Sequence, residues 1–495
     1  MAKRGTEDAG LRRGALLVGG LLLVACTRTP TPPADTPAAE SEPDSGLAEA
    51  ALITADPQLG FATRLAEETL SRISRQHVTP VRLESLSAQF VEQLADELGA
   101  GPWREARPTL QETTLAGIVK TLHQHHPGRP ILPAVEQALA GVVRQLDSDS
   151  IYFDRHQFAL LRRPPQQSAG IGVLTASRDG RVVIGEVIRG GPAEQAGLKS
   201  GDLLLAIDGQ SVAGQPQDVI RTRLHGPAGS TVALRVRFDR GDIRTLHLQR
   251  QALELPRVEG RWLDRGIAYV RLRTLSQTTL EEFNEIFLGL IHRQQAPRGL
   301  VLDLRNNRGG ILDSAVQLTD MFLAGGTILT VRGRKESDST RYVARPRSEI
   351  LEQRLPLALL INGETAAGAE SLAAALQDHR RAVILGQRSR GEGRLYPVFQ
   401  LPGERGLKLA TGQLYRPAER PIAGHGVVPD ICFDDTRARL IPDADDAAAT
   451  GQCDRTPGAR DGEGDPVLEW AGDLLADKRL YRELREGRLA TLPSP

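Results

Sequence analysis

The stretch NGETAAGAESLAAALQDHRRAVILGQRSRGEGR, Asn362–Arg394, reads as the end of one buried strand, a turn of small residues, a helix and a further strand. Apolar runs flank and repeat this unit. LPLALLING precedes the turn, AVILGQ closes it, and upstream lie GIAYVRLRTLSQTTLEEFNEIFLGLI and GLVLDLRNNRGGILDSAVQLTDMFL. Strands alternating with helical segments predict a largely parallel sheet with helices on its faces. A strand-to-helix turn is also where a backbone can present a nucleophile to free helix N–H groups. Here that turn carries alanine and glycine.

The chain has 495 residues, of which 62 are basic and 62 acidic, for a formal net charge of +0. That length allows several domains with real cores, and the charge balance lacks the basic footprint of a nucleic-acid binder. Residues 1–26 read as a leader: Lys3, Arg4, Arg12 and Arg13 precede the apolar run GALLVGGLLLVA, with Cys26 directly after it. The run suits a signal-peptide core and is short for a membrane span. LVAC resembles a bacterial lipobox, which implies acylation at Cys26, export and anchoring in the cell envelope, on the periplasmic face. An ordinary secretory leader is the alternative. Residues 27–50, rich in Pro, Ala and acid, read as an extended tether. In an oxidising compartment Cys432 and Cys453 can pair or stay free.

Residues 51–165 carry apolar residues at three- and four-residue steps and predict a helical region. His123, His125 and His126 lie there without spaced acidic or Cys partners, so they read as a helix end and no metal or other cofactor is expected. The texture changes at 166–250 to short strands with Gly and Asp turns and one helix. AGIGV, GPAEQAGLKSGDLLLAIDG and GPAGSTVALRV, in that order, resemble a PDZ domain. The resemblance implies capture of a peptide C-terminus at Gly170, Ile171 and Gly172, with the peptide added to the following strand. A groove filled by the protein's own chain is the alternative.

Residues 251–440 form the α/β core and 441–495 an extension closed by an amphipathic helix. With the PDZ segment, LVLDLRNNRGG, AAALQDHRRAVILGQ, LKLATGQLYRPAERPIAGHGVVPDI and LDSDSIYFDRHQF resemble the carboxyl-terminal processing peptidases, or tail-specific proteases. The implied fold is multidomain α/β: an N-terminal helical region, a PDZ domain and a crotonase-like peptidase core. The family cleaves with a serine activated by a lysine, which a glutamine helps to hold. Carried over position by position, the serine falls on Ala367, the lysine on Glu392 and the glutamine on Tyr396. Arg308 stands where the family has proline. The resemblance places the oxyanion donors at Gly309 or Gly310 and at Gly368.

Alanine has no oxygen with which to attack, and a carboxylate has the wrong charge to replace a tuned amine. Glu392 lies between Arg390 and Arg394, which predicts an ion pair there. The expected protein is thus an inactive relative that binds protein tails, as an adaptor, a regulator or a decoy for active peptidases. A displaced nucleophile, Ser371 or Thr365, is the alternative, and an envelope scaffold that binds no tail is a third reading.

Overall fold

The computed structural model of the chain describes residues 56–99, 114–162, 169–178, 180–188, 190–238, 241–252, 256–293, 296–345, 355–434, 437–441, 453, 465–488 and 492. The leader with Cys26 and the tether at 27–50 lie outside the described residues.

Four helices open the described chain: α1 (Pro57–Gln76), α2 (Leu83–Leu98), α3 (Leu115–His125) and α4 (Ile131–Arg144). Pro57 presets the backbone of a first turn, and the Asp56 carboxylate accepts from the N–H groups of Gln58 and Leu59 at 2.9 and 3.1 Å, so α1 starts there. His123 and His125 lie in the last turn of α3, and His126 ends it. The apolar faces bury Leu65, Phe90, Leu94 and Leu139 together. This core does not close on itself. Its remaining wall is Tyr152, in the short strand β1 (Ile151–Phe153), together with Leu401, Leu407 and Leu409 from far along the chain. The helical region and the α/β core therefore share one packing interior. Helix α5 (Arg155–Leu161) follows, capped by Asp154 on the N–H of Gln157 at 2.8 Å.

The next segment comprises β2 (Val173–Arg178), β3 (Arg181–Val187), α6 (Pro192–Gln195), β4 (Leu203–Ile207), β5 (Gln210–Ser211), α7 (Gln217–Leu224), β6 (Thr231–Arg237) and β7 (Ile243–Gln249). Its antiparallel sheet runs β2–β3–β4–β6–β7, with β5 paired to β4. Strand β2 ends this order, so among the described residues one of its edges has no strand beside it. Helix α7 lies near that strand, where the Thr175 hydroxyl donates to Gln217 Oε1 at 2.8 Å.

The core sheet is built from β8 (Val258–Leu263), β9 (Ile267–Leu272), β10 (Gly299–Asp303), β13 (Leu357–Ile361), β14 (Val383–Gly386), β19 (Ile431–Asp434) and β20 (Arg437–Leu440). The strand order is β20–β19–β14–β13–β10–β9–β8, parallel from β19 to β9 and antiparallel at both edges. Both faces are covered, which explains the unbroken apolar runs in the sequence. In β13, Leu357, Leu359 and Ile361 face the side packed by α8 (Thr279–Arg293), α9 (Leu312–Asp320) and α10 (Gly368–Asp378). Ala358 and Leu360 face the other side, against Leu468, Leu474 and Leu475 of α11 (Pro466–Ala476). Helix α12 (Lys478–Arg485) adds Tyr481 to that layer.

A second sheet runs β12–β11–β18–β15, from β11 (Gly326–Gly333), β12 (Thr340–Ala344), β15 (Arg394–Leu395) and β18 (Gly412–Tyr415). Strands β16 (Val398–Leu401) and β17 (Arg405–Lys408) pair with β1 in a third sheet. Cys432 and Cys453 form a disulfide with Cα atoms 5.6 Å apart.

Candidate functional site

The loops at the C-terminal ends of β10 and β13 meet, the usual position for a site in a parallel sheet. Beneath them lies a buried ion network. Asp303, fully buried, accepts from Arg305 at 2.6 Å and from the Tyr269 hydroxyl at 2.8 Å, and Arg305 also pairs with Asp465 at 2.7 Å. Above it Asn306 and Asn362 clasp the loops together: Asn306 N donates to Asn362 Oδ1 at 3.0 Å and Asn362 Nδ2 to Asn306 Oδ1 at 2.9 Å. Ala366 N donates to Asn307 O at 2.9 Å.

Ala367 is the apex of this turn, at φ 50° and ψ −118°, just before α10. A β-carbon is unfavourable there, so the surroundings must enforce the conformation. Gly309 allows the closest approach: a Cβ on it would stand 2.9 Å from the Ala367 Cβ and 2.9 Å from Gly368 N. The N–H of Gly309 is taken by Asn307 Oδ1 at 2.8 Å. Those of Gly310 and Gly368 have no partner among the described residues, leaving these two as available donors.

Glu370, one turn into α10 and fully buried, ties the centre together. Its Oε2 accepts from Ala367 N at 2.8 Å and from Glu392 N at 3.0 Å, and its Oε1 accepts from the Ser389 hydroxyl and Gly391 N, each at 2.5 Å. One carboxylate oxygen thus joins the backbone of position 367 to that of position 392. Burial pushes the Glu370 carboxyl up to about 7, against the pull of these donors. Neither Glu370 nor Ser389 was singled out from sequence. The signal for Glu370 was present, as an acid in the first turn of a helix.

The ion pair expected around Glu392 is present with Arg390, though long. Arg390 lies 4.0 Å from its carboxylate and has a nearer partner in Asp149 at 3.0 Å, while Arg394 lies 3.8 Å from Asp147. Burial raises the Glu392 carboxyl, opposed by Lys408 and Arg390 and reinforced by Asp149 and Asp218. Tyr396 donates to Asp147 Oδ1 at 3.3 Å, and His77 of the helical region meets the same carboxylate at 3.0 Å. Burial pushes Asp147 up, but the hydrogen bonds from His77 and Ser150 outweigh it and hold the carboxyl well below its usual range.

Lys408 reaches the cleft from β17. Its Nζ pairs with Asp218 of α7 at 2.6 Å and lies 5.1 Å from the Tyr396 ring centre. The alternative hydroxyls are engaged. Thr365 Oγ1, fully buried, donates to Leu304 O at 2.9 Å, and Ser371 Oγ, 1% exposed, donates to Ala367 O at 3.3 Å.

A cleft of about 620 Å³ runs from β2 and α7, past Arg308, Gly309 and Gly310, to Glu392 and Lys408. The groove between β2 and α7 thus opens into one space with Gly309, Gly310 and Glu364. Of the expected carboxylate-binding residues, Gly170 has its N–H on Gln251 O at 2.9 Å, while the N–H groups of Ile171 and Gly172 have no partner among the described residues. Arg308 crosses the cleft. Its guanidinium donates to Thr175 O on β2 and pairs with Glu364 at 2.5 Å. One acceptor that an added peptide strand would use is therefore taken by the protein itself.

A model of peptidase family S41 matches residues 266–433, and one of the PDZ domain matches 183–237. The carboxy-terminal-processing protease of Bartonella bacilliformis is 32% identical over 301 residues, which cover 60% of this chain and 69% of the relative. The carboxyl-terminal-processing protease of Picosynechococcus is 32% identical and covers 49% and 58%. For the carboxy-terminal processing protease CtpA of Bacillus subtilis the figures are 27%, 60% and 63%. Among solved structures, the photosystem II D1 C-terminal processing protease superposes with a TM-score of 0.56 at 23% identity, covering 80% of this chain and 99% of that one.

Proposed function

The chain belongs to the carboxy-terminal processing proteases of peptidase family S41, and we propose that it keeps their means of holding a protein tail while lacking their acyl-transfer chemistry. The observation that carries this reading is Ala367. It occupies the apex of the turn, beside the open N–H groups of Gly310 and Gly368, and presents a methyl group. A methyl has no electron pair to give a carbonyl carbon. Glu392 brings a carboxylate to the position of the family's amine, and Tyr396 is tied to Asp147.

What remains is suited to binding. Among the described residues strand β2 has an edge without a neighbouring strand, α7 lies near it, and Ile171 and Gly172 offer N–H groups at the start of the groove. The ligands are protein or peptide C-termini, and the protein acts as an adaptor, a regulator or a decoy beside active relatives. It is exported and tethered by lipid at Cys26 in the bacterial envelope. The rival, hydrolysis through Ser371 or Thr365, has against it the burial of both hydroxyls and their bonds to backbone carbonyls.

The test uses full-length protein in detergent micelles with a serine-directed fluorophosphonate and unfolded casein. The native chain is expected to form no adduct and cut no casein. A variant carrying Ala367→Ser, Glu392→Lys and Tyr396→Gln is expected to gain labelling. An adduct on the native chain that vanishes with Ser371→Ala or Thr365→Ala overturns the reading. Palmitate incorporation in a bacterial host, lost on Cys26→Ser, checks the anchor.

A further inference from the structure

The loop that opens the PDZ domain is pinned beside the end of α7. Ala169 and Gly226 exchange both backbone hydrogen bonds, at 2.9 and 3.0 Å. Gly170 therefore lies against His225, and a Cβ built on it would stand 3.4 Å from His225 Nε2. The ring is oriented. Its Nδ1 is 2.8 Å from Arg221 O, so in the neutral form Nδ1 carries the proton and Nε2 the lone pair. Nε2 has no partner among the described residues, and the ring lines the same cleft as Val173 and Thr175. Two residues beyond Gly170, Gly172 at φ 81° turns the chain, and the N–H groups of Ile171 and Gly172 have no partner among the described residues.

We propose that His225 completes a carboxylate-binding site at the end of the groove, in which the protonated Nε2 and the N–H groups of Ile171 and Gly172 receive the free C-terminal carboxylate of a protein tail. This rests on the tail-binding reading above and names the group that tells a chain end from an internal segment.

The charges around the ring favour this assignment. The loop 169–173 contributes none. Arg221, on α7, pairs with Asp218 at 2.9 Å, and Arg250, just after β7, reaches Leu224 O and Arg223 O at 3.0 and 2.9 Å. Burial first, and then these two cations, hold His225 below its ordinary range, although its bond to Arg221 O pulls the other way. A bound carboxylate reverses the balance by adding an anion beside the ring. The imidazole then takes up a proton as the tail binds, so affinity must rise as the pH falls. An amidated end brings no charge and no such dependence.

The experiment uses full-length protein and a hexapeptide selected on it from a random library with free carboxyl ends. Affinity is measured from pH 8 to pH 5 for this peptide and its C-terminal amide, on the native chain and on His225→Gln and His225→Asn. The expected result is an affinity about tenfold higher at pH 5 for the free acid, the scale of one charge-assisted hydrogen bond. The slope is expected to be absent for the amide and in both variants. Calorimetry in buffers of different ionisation enthalpy is expected to show proton uptake that is lost in the variants. Failure to select any peptide overturns tail binding altogether. Binding with a pH slope that survives in both variants, or equal affinity for acid and amide, overturns the carboxylate site alone.

Discussion

Ala367 sits at φ 50° and ψ −118°, a conformation that for a residue with a β-carbon costs about 1–3 kcal/mol. Glu370 helps to enforce it, because four donors converge on its two oxygens. With its carboxyl pushed up to about 7 from an ordinary 4.5, the unfolded chain releases this proton first as the pH rises. Stability is therefore expected to fall between about pH 4.5 and pH 7 and to level off above, by an amount on the order of 3 kcal/mol. Asp430, pushed up to about 6, adds to the fall over a narrower range. Urea unfolding at pH 5, 6, 7 and 8 checks this. In Glu370→Gln the fall is expected to shrink, while stability drops at every pH by about 2 kcal/mol, because an NH₂ then faces N–H donors. A flat native profile contradicts the account.

Between elements, the contact that governs the groove is Arg308 on Thr175 O. Among the described residues strand β2 has one edge without a neighbouring strand, and an added peptide needs its outward carbonyls. Arg308→Ala vacates that acceptor and also unpairs Glu364. Tail affinity is expected to rise about fivefold, the worth of one modest hydrogen bond of about 1 kcal/mol. Fluorescence anisotropy with the selected hexapeptide reads it, and unchanged or weakened binding means that Arg308 assists the peptide rather than competing with it. The proline-to-arginine departure was legible in the sequence. Its partner was not, because Thr175 lies 133 positions away and nothing local to either residue encodes their meeting.

Across the whole molecule, the PDZ domain is held to the core by buried charge. Glu186 on β3, 8% exposed, accepts from Arg271 at 3.1 Å and Arg273 at 2.6 Å, and from Asn306 Nδ2 at 3.3 Å. Lys408 and Asp218 add a second tie on the far side of the groove. Removing one member of a buried ion cluster leaves its partners uncompensated. Glu186→Ala is expected to destabilise the chain by about 3 kcal/mol and to quicken amide exchange across β2–β4 more than in the core sheet. Uniform exchange in both regions contradicts this docking role.

Alternation of period two and three-to-four, the glycine turns and the order of the segments were enough to determine the parallel core, the short-strand segment and the helical region, because each is written in neighbouring residues, and the resemblance of AGIGV and GPAEQAGLKSGDLLLAIDG identified that segment as a PDZ domain. Ala367, Glu392 and Tyr396 were legible in the same way, as the residues on which the family resemblance places its serine, lysine and glutamine. Tertiary structure alone decided which donors stay open. Gly309 and Gly170 have theirs taken, by Asn307 Oδ1 and Gln251 O, while those of Gly310, Gly368, Ile171 and Gly172 have no partner among the described residues. It also decided that Lys408 faces the cleft and that the helical region completes its core with Leu401 and Leu407. The reason is physical: a hydrogen bond or an apolar contact depends on distance in space, and separation along the chain carries no record of it.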